Sequence, residues 1–223
     1  MCGRFALYSS LDEIKEVFGI QQVDFQPEAS YNIAPSQAVA VVVRHNGHNH
    51  LQRMIWGLVP SWAKDASSGA RLINARAETL HQKPSFRRPL LSQRCLIVAD
   101  GFFEWQKREE GRRPMFIHMK SRRPFGMAGL YDIWQPPEGE RLISCTIITT
   151  QANDVVRPIH DRMPAIIPAS HYSQWLDPSP QPVPHLLGLL KPYPAQEMSA
   201  YAVSRLGNSP HHNVPDCVRP AAA

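Results

Sequence analysis

Cysteine is scarce in this chain of 223 residues, and its four cysteines stand far apart. No two of them form a Cys-x-x-Cys pair, so the sequence gives little support to a zinc site. Their spacing also lacks the density of a disulfide-stabilised secreted domain. Neither a signal peptide nor an apolar run of membrane-spanning length is visible in the sequence. We therefore expect a protein of the reducing cytoplasm.

Charged residues are few as well, at 19% of the chain, whereas proline is abundant, with 21 residues. Many prolines stand between apolar runs, a pattern that argues against long helices and predicts many loops. An apolar fraction of 43% argues against disorder and is enough for a substantial core. The net charge of +5 is compatible with a polyanionic partner without requiring one.

Short extended runs dominate the local pattern of the sequence. Asn46-Gly47 joins two β-branched runs and predicts a tight hairpin, and we interpret the three histidines around it as a polar tip, not a metal site. Ser10 and Glu13 form a capping box that begins a helix, which Gly19 ends. The segment Tyr31–Pro35 is interpreted as a loop. Many short strands and few helices predict a mixed α+β single domain, with a central, mainly antiparallel β-sheet or barrel-like core flanked by short helices.

The first residues, Met1-Cys2-Gly3-Arg4, carry unusual chemistry. A small residue at position two favours removal of the initiator methionine, so we expect the mature chain to begin with Cys2. Its α-amine and thiol would then be adjacent nucleophiles, with ordinary pKa values of about 7.7–8.0 and about 8.5. Such a pair can capture an aldehyde as a thiazolidine, which a thiol alone cannot do. Taken by itself, a cysteine at position two is more simply interpreted as part of a frayed terminus.

Two residues are candidates for proton transfer. Glu104 lies between Phe103 and Trp105, and an aromatic setting would raise its pKa by desolvation, as suits a general acid. The alternative is that strand alternation turns Glu104 toward solvent. His160 could shuttle protons, although a lone histidine is more often structural.

A second group of polar residues could bind an anion. Asn74 and Arg76 share one face of an extended segment, where the arginine offers a planar fork for phosphate. Arg4 and Arg162 could join them, but salt bridges, for example with Glu78, are the alternative for these arginines.

Aromatic residues near these arginines are typical of a single-strand nucleic acid surface, on which bases stack on rings. Trp62 leads into a polar loop, so we expect it to be exposed, whereas Trp56 is interpreted as a core residue.

Six segments of the chain occur in the order known from one family, and six ordered motifs are far more specific than any one of them. They are Met1–Arg4, Trp56–Trp62, Asn74–Thr79, Ala99–Trp105, Ala128–Leu130 and His160–Pro164. With these motifs the chain resembles the SOS-response-associated peptidase (SRAP) family from Cys2 to about Asn208. The resemblance implies an SRAP-like domain over residues 2–210, and we interpret residues 211–223 as a loosely ordered C-terminal tail.

The resemblance also implies an activity. Members bind single-stranded DNA at abasic sites and form a covalent thiazolidine crosslink through the N-terminal cysteine, here Cys2, after autocatalytic or aminopeptidase removal of Met1. This would make the chain a crosslinking protein with peptidase- or lyase-like activity in the DNA damage response.

The resemblance implies the following residue roles. Asn74 would position the terminus, Glu104 would act as general acid or base, and His160 would assist proton transfer. DNA contacts would come from Arg4, Arg76 and Arg162 on flanking phosphates and from Trp62 stacking beside a base.

The chemistry requires no metal or cofactor. We expect a monomer, no membrane partner, and a cytoplasmic location with association to the bacterial nucleoid when the protein is bound to DNA.

Two other functions stay open from the sequence. An N-terminal-nucleophile amidohydrolase, such as a glutamine amidotransferase, would also begin with Cys-Gly and would use the Cys2 thiol against an amide. A non-catalytic DNA-binding module would use the same arginines without any dependence on Cys2.

Overall fold

Short apolar runs form two β-sheets in the computed structural model, which describes residues 2–221. The strands are β1 Phe5–Leu7, β2 Ile20–Val23, β3 Ser30–Ile33, β4 Ala38–His45, β5 His48–Trp56, β6 Asn74–Arg76, β7 Arg94–Ala99, β8 Gly101–Arg108, β9 Gly111–Met119, β10 Phe125–Trp134, β11 Leu142–Gln151, β12 Arg162–Pro164, β13 Ile166–Ile167 and β14 Met198–Ala202. The α-helices are α1 Leu11–Phe18, α2 Pro84–Ser92, α3 Tyr172–Leu176 and α4 Val183–Gly188. This arrangement confirms the predicted mixed α+β class with short helices.

The larger sheet closes into a ring. Its strands follow the order β12-β11-β10-β7-β4-β5-β2, and an additional parallel pairing joins β11 to β5. The strands β4, β7, β10, β11 and β5 therefore form a closed circuit, the barrel-like core expected from the sequence. Strand β6 pairs with β11 in parallel, which brings Asn74 opposite Ile147 and Arg76 opposite Thr149.

The smaller sheet has the order β14-β9-β8-β1-β3 and is covered on both faces. On its inner side Phe5 packs against Trp56 of the ring, with ring centroids 5.2 Å apart, so the expectation of a core Trp56 is confirmed. On its outer side a second apolar cluster contains Phe103, Phe116 and Val203. Both faces of β8 are thus buried near its start.

Residues after position 210 complete that outer cover, which differs from the loose tail expected from the sequence. Cys217 is fully buried, and Val203 forms a β-bridge with Pro220. The hydroxyl of Tyr201 donates to the carbonyl of Val218 at 2.7 Å. Residues 211–221 therefore pack against the smaller sheet, and residues 222 and 223 lie outside the described part of the chain.

Local sequence patterns correctly predicted the first helix and the hairpin. The Ser10 hydroxyl accepts from the Glu13 N–H at 3.2 Å, and Gly19 ends α1 with a left-handed φ of 55°. At the hairpin, Asn46 and Gly47 both have positive φ, at 50° and 82°, as a tight β-turn of this type requires.

The interpretation of Tyr31–Pro35 as a loop is correct for Ala34 and Pro35 but wrong for residues 31–33, because Ser30–Ile33 forms strand β3 against β1. The polar residues of this segment interrupt the run of apolar residues by which a strand is usually recognised. Asn32 is nevertheless only 1% exposed, since its side chain is hydrogen-bonded on both its oxygen and its nitrogen.

Within residues 2–221, no helix combines the length and the apolar character needed to cross a membrane.

The closest packing in the ring surrounds Gly129 on β10. An added Cβ there would lie 2.3 Å from Cδ1 of Ile97 and 2.9 Å from Sγ of Cys95. We expect Gly129→Ala to lower the free energy of unfolding by about 1–3 kcal/mol through overpacking. Gly188→Ala is the matched control, since an added Cβ there has open space among the described residues and gains helix propensity. Urea unfolding of both variants checks this, and equal midpoints would contradict it.

Candidate active site

The N-terminal segment runs alongside β8. Strand β1 lies between β3 and β8, and the Phe103 N–H donates to the carbonyl of Arg4 at 2.9 Å. On the other side, Asn74 Nδ2 donates to the carbonyl of Cys2 at 2.7 Å. Cys2 is fully buried between these two contacts, so its position is defined from both sheets. Met1 lies outside the described residues.

Glu104 faces the interior of the domain next to Cys2. Strand alternation places it on the face opposite Phe103, as the sequence predicted, but that face meets the ring and not solvent. Glu104 is 3% exposed, and the solvent-facing alternative is therefore wrong. Burial raises the pKa of the Glu104 carboxyl, and the nearby His160 opposes that shift.

The Cys2 thiol is held in its neutral form. Burial raises the pKa of Cys2 far above its ordinary value, and the negative charge of Glu104 raises it further. The thiol is a weak nucleophile in this state, because the thiolate is the reactive species.

His160 lies between the site and the start of β12. The Arg162 N–H donates to His160 Nδ1 at 2.9 Å, and the Asp161 carboxylate lies 2.9 Å from the same nitrogen. One nitrogen cannot accept from the first and donate to the second at once. The side chain of Asp161 is 85% exposed and can turn toward water, so we regard the backbone contact as the fixed one. It leaves the proton of the neutral ring on Nε2.

The arginines predicted to bind an anion differ in their surroundings. Arg162 forms a bidentate ion pair with Glu78, at 2.6 and 2.9 Å, and also donates to the carbonyl of Thr149. The salt-bridge alternative is therefore correct for the resting structure. Arg76 is exposed two residues after Asn74 on β6.

Arg4 is bonded within the protein as well. Its Nη1 donates to Oδ1 of Asn32 at 2.6 Å and to the carbonyl of Gly207 at 2.8 Å. Asn32 Nδ2 in turn donates to the carbonyls of Ser209 and His212. Asn32 thus joins the N-terminal strand to the C-terminal segment.

Trp62 lies on a loop anchored to the end of β10. The Ser61 N–H donates to the buried Asp132 carboxylate at 2.8 Å, and Trp134 Nε1 donates to the carbonyl of Ala63 at 2.8 Å. Trp62 itself is 65% exposed, which confirms the expectation that it lies outside the core. An exposed indole on an anchored loop is suited to stacking.

Cys2 and Glu104, both buried, thus lie close together, with half-buried Asn74 bonded to Cys2 and half-buried His160 near Glu104. Arg76 and Trp62 are exposed. In the described part of the chain, no group of three or more His, Cys, Asp or Glu side chains could hold a metal ion. The arrangement places a buried thiol and a buried carboxyl beside a partly exposed histidine.

The sequence matches the family model described as SOS response associated peptidase (SRAP) over residues 1–210. The chain belongs to the SRAP family. This confirms the resemblance drawn from the six motifs.

Two relatives illustrate its range. "Abasic site processing protein YoqW" of Bacillus subtilis (strain 168) is 48% identical over 223 residues, which cover 98% of this chain and 99% of that protein. "Abasic site processing protein HMCES" of Gallus gallus is 34% identical, with 86% of this chain and 66% of that protein covered.

The fold also matches a solved structure. A crystal structure of a protein from Bacteroides thetaiotaomicron superposes with a TM-score of 0.89 at 28% identity, and covers 99% of this chain and 100% of that one.

Sequence reasoning missed Asn32 and Asp132. Each is a buried polar residue within a strand, and each forms hydrogen bonds to residues that are far away in the sequence. The signal available for Asn32 was its place beside apolar Ile33 in an extended run, but its partners are 28 and about 180 residues away along the chain.

Replacing Asn32 should destabilise the protein strongly. Asn32→Ala leaves two carbonyls and one arginine N–H without their partner, at a cost of about 1–3 kcal/mol for buried groups. Asn213→Ala is the matched control, because Asn213 also ties β3 to the C-terminal segment but through exposed bonds. We expect it to cost less than Asn32→Ala in urea unfolding, and an equal loss would contradict this assignment.

The raised pKa of Glu104 should appear in the pH dependence of stability. The native state holds this proton more tightly than the unfolded state, so the contribution is fully present below the unfolded pKa of about 4.3 and is lost as pH rises through the native pKa. Glu104→Gln removes this dependence while keeping the side-chain shape. Its gain in unfolding free energy over the natural protein should therefore be larger at neutral pH than in acid. A difference that is constant with pH, measured by urea unfolding, would contradict the shift.

Proposed function

We propose that this protein processes abasic sites in DNA by capturing the ring-opened sugar aldehyde as a thiazolidine on Cys2, once Met1 has been removed. The observation that carries the proposal is the burial of Cys2 between its hydrogen bond to Asn74 and the carboxyl of Glu104. Membership of the SRAP family, whose relatives bear the name abasic site processing protein, supports it.

The amine reacts before the thiol. With the thiol held neutral, the freed α-amine of Cys2 attacks the aldehyde carbon and forms a carbinolamine. The carbinolamine takes a proton from Glu104 and loses its hydroxyl as water to give a protonated imine. The sulfur then adds to the carbon of that imine, and the thiol proton returns to the Glu104 carboxylate. One water leaves overall, and no electrons are exchanged with a co-reactant.

Glu104 supplies the proton for water loss. Burial raises the pKa of the Glu104 carboxyl and so favours the protonated form, which is the form that a general acid needs. The resulting carboxylate can take the thiol proton in the closing step. We assign His160 a supporting role in relaying protons to solvent through Nε2.

We assign the DNA contacts first to the candidate residues whose side chains are exposed. Arg76 is available for a phosphate and Trp62 for stacking beside the gap left by the missing base. Arg162, two residues after His160, and Arg4, bonded toward the C-terminal segment, hold protein partners. Their contact with phosphate therefore requires a phosphate oxygen to share or replace Gly207 or Glu78. Because an abasic site has no base edge, weak sequence preference is expected.

The peptidase in the family description supports removal of Met1 by the same site, with an aminopeptidase as the alternative route. The monomeric state and cytoplasmic location stay predictions.

Crosslinking to an abasic oligonucleotide tests the proposal. The natural protein should give an adduct that survives denaturation, and its intact mass should equal protein without Met1 plus DNA minus one water. Cys2→Ala should abolish this adduct. Cys95→Ala, which removes another fully buried thiol, should leave the yield unchanged.

A chain with an uncleaved N-terminal tag supplies the second arm of this test. It keeps the thiol but lacks the free α-amine, so it should bind DNA without crosslinking. An unchanged adduct from Cys2→Ala or from the tagged chain would overturn the proposal.

A further inference from the structure

The face of the β8–β9 hairpin that carries Glu104 also carries arginines at its far end. In an antiparallel pair, opposite residues and residues two apart lie on the same face. The register pairs Gln106 with Arg113 and Arg108 with Gly111, so both arginines share the face of Glu104. Four residues at about 3.4 Å each place Arg108 roughly 13 Å beyond Glu104 along the strand.

These arginines border an open cleft of about 360 Å³ between the hairpin tip and residues 203–205. We call it the hairpin cleft. Its cationic lining residues are Arg108, Arg112, Arg113 and Arg205, against one acidic residue, Glu110. Among residues 2–221, none of the four arginines forms an ion pair with a carboxylate, whereas Arg162 in the site does. The cleft therefore presents unneutralised positive charge.

The face of Glu104 leads to one side of the hairpin cleft, where Arg108 and Arg113 lie, and the outer face of the smaller sheet borders the other side with Pro114 and Val203. Gln106 lies midway on the same face and donates to the carbonyl of Pro158 at 3.1 Å, so β8 borders the segment that leads to His160. A strand leaving the pocket along this face meets Arg113 and then Arg108.

We propose that the hairpin cleft binds the phosphodiester backbone of the single strand on one side of the captured abasic site. This inference rests on the proposed function. Single-stranded DNA is the occupant favoured by the positive charge and by the continuity of the face with the site. Guanidinium groups match phosphate oxygens in a bidentate geometry, and such contacts carry no sequence preference.

Two double variants with equal loss of charge test it. Arg108→Gln with Arg113→Gln removes two cationic groups from the cleft. Arg122→Gln with Arg123→Gln removes two exposed arginines that follow the opposite end of β9. Binding to an oligonucleotide with an abasic analogue that lacks the aldehyde is measured as a function of salt. Loss of two phosphate contacts should lower the slope of log affinity against log salt by about 1.4 in the cleft variant alone.

Oligonucleotide length provides the second readout. On a long abasic oligonucleotide, the cleft variant should crosslink more slowly than the natural protein at subsaturating DNA. On one with a single nucleotide on each side of the lesion, the difference should be smaller, because that DNA does not extend to Arg108, roughly 13 Å beyond Glu104.

Unchanged behaviour of the cleft variant, or equal effects of both double variants, would overturn the inference. Absence of any adduct from the natural protein would instead overturn the proposed function, and the salt slopes on the aldehyde-free analogue would still decide the role of the cleft.

Discussion

The insertion of β1 between β3 and β8 is the constraint on which the site depends. It converts the first residues of the chain, which ordinarily fray, into the interior of a five-stranded sheet. With Cys2 fixed in this way, its carbonyl accepts a hydrogen bond from Asn74 of the ring. The negative charge of Glu104 adds to the effect of burial in raising the pKa of the Cys2 thiol. The two sheets thus share the site, and neither could build it alone.

Desolvation explains why the pocket has one acid and one neutral thiol. The same burial that raises the pKa of the Glu104 carboxyl also suppresses the Cys2 thiolate. These effects act in the same direction on two groups with opposite tasks in the proposed reaction. In the proposed reaction, the suppressed thiolate places the attack of the amine before that of the sulfur, and the raised pKa of the carboxyl suits it to donate a proton.

Local patterns in the sequence predicted the α1 caps, the Asn46-Gly47 hairpin and the α+β class, because each depends on neighbours in sequence or on composition. The family was predicted from ordered motifs. Strand β3 and the packing of residues 211–221 were missed, because Asn32 and Cys217 are held by partners distant in the chain. For Glu104, alternation gave the correct face but could not tell that a second sheet covers it.

The contact between Arg4 and Gly207 spans 203 residues of chain. At a synthesis rate of about 5–20 residues per second, roughly 10–40 seconds separate the appearance of these two residues. Throughout that interval the N-terminal strand lacks the C-terminal segment, and during the first half of it the strand also lacks β8. The bonds that hold the N-terminal segment therefore form in stages, first with β6 and β8 and last with the C-terminal segment. Under the proposed function, this order gives processing enzymes access to the N-terminal segment before Cys2 is enclosed.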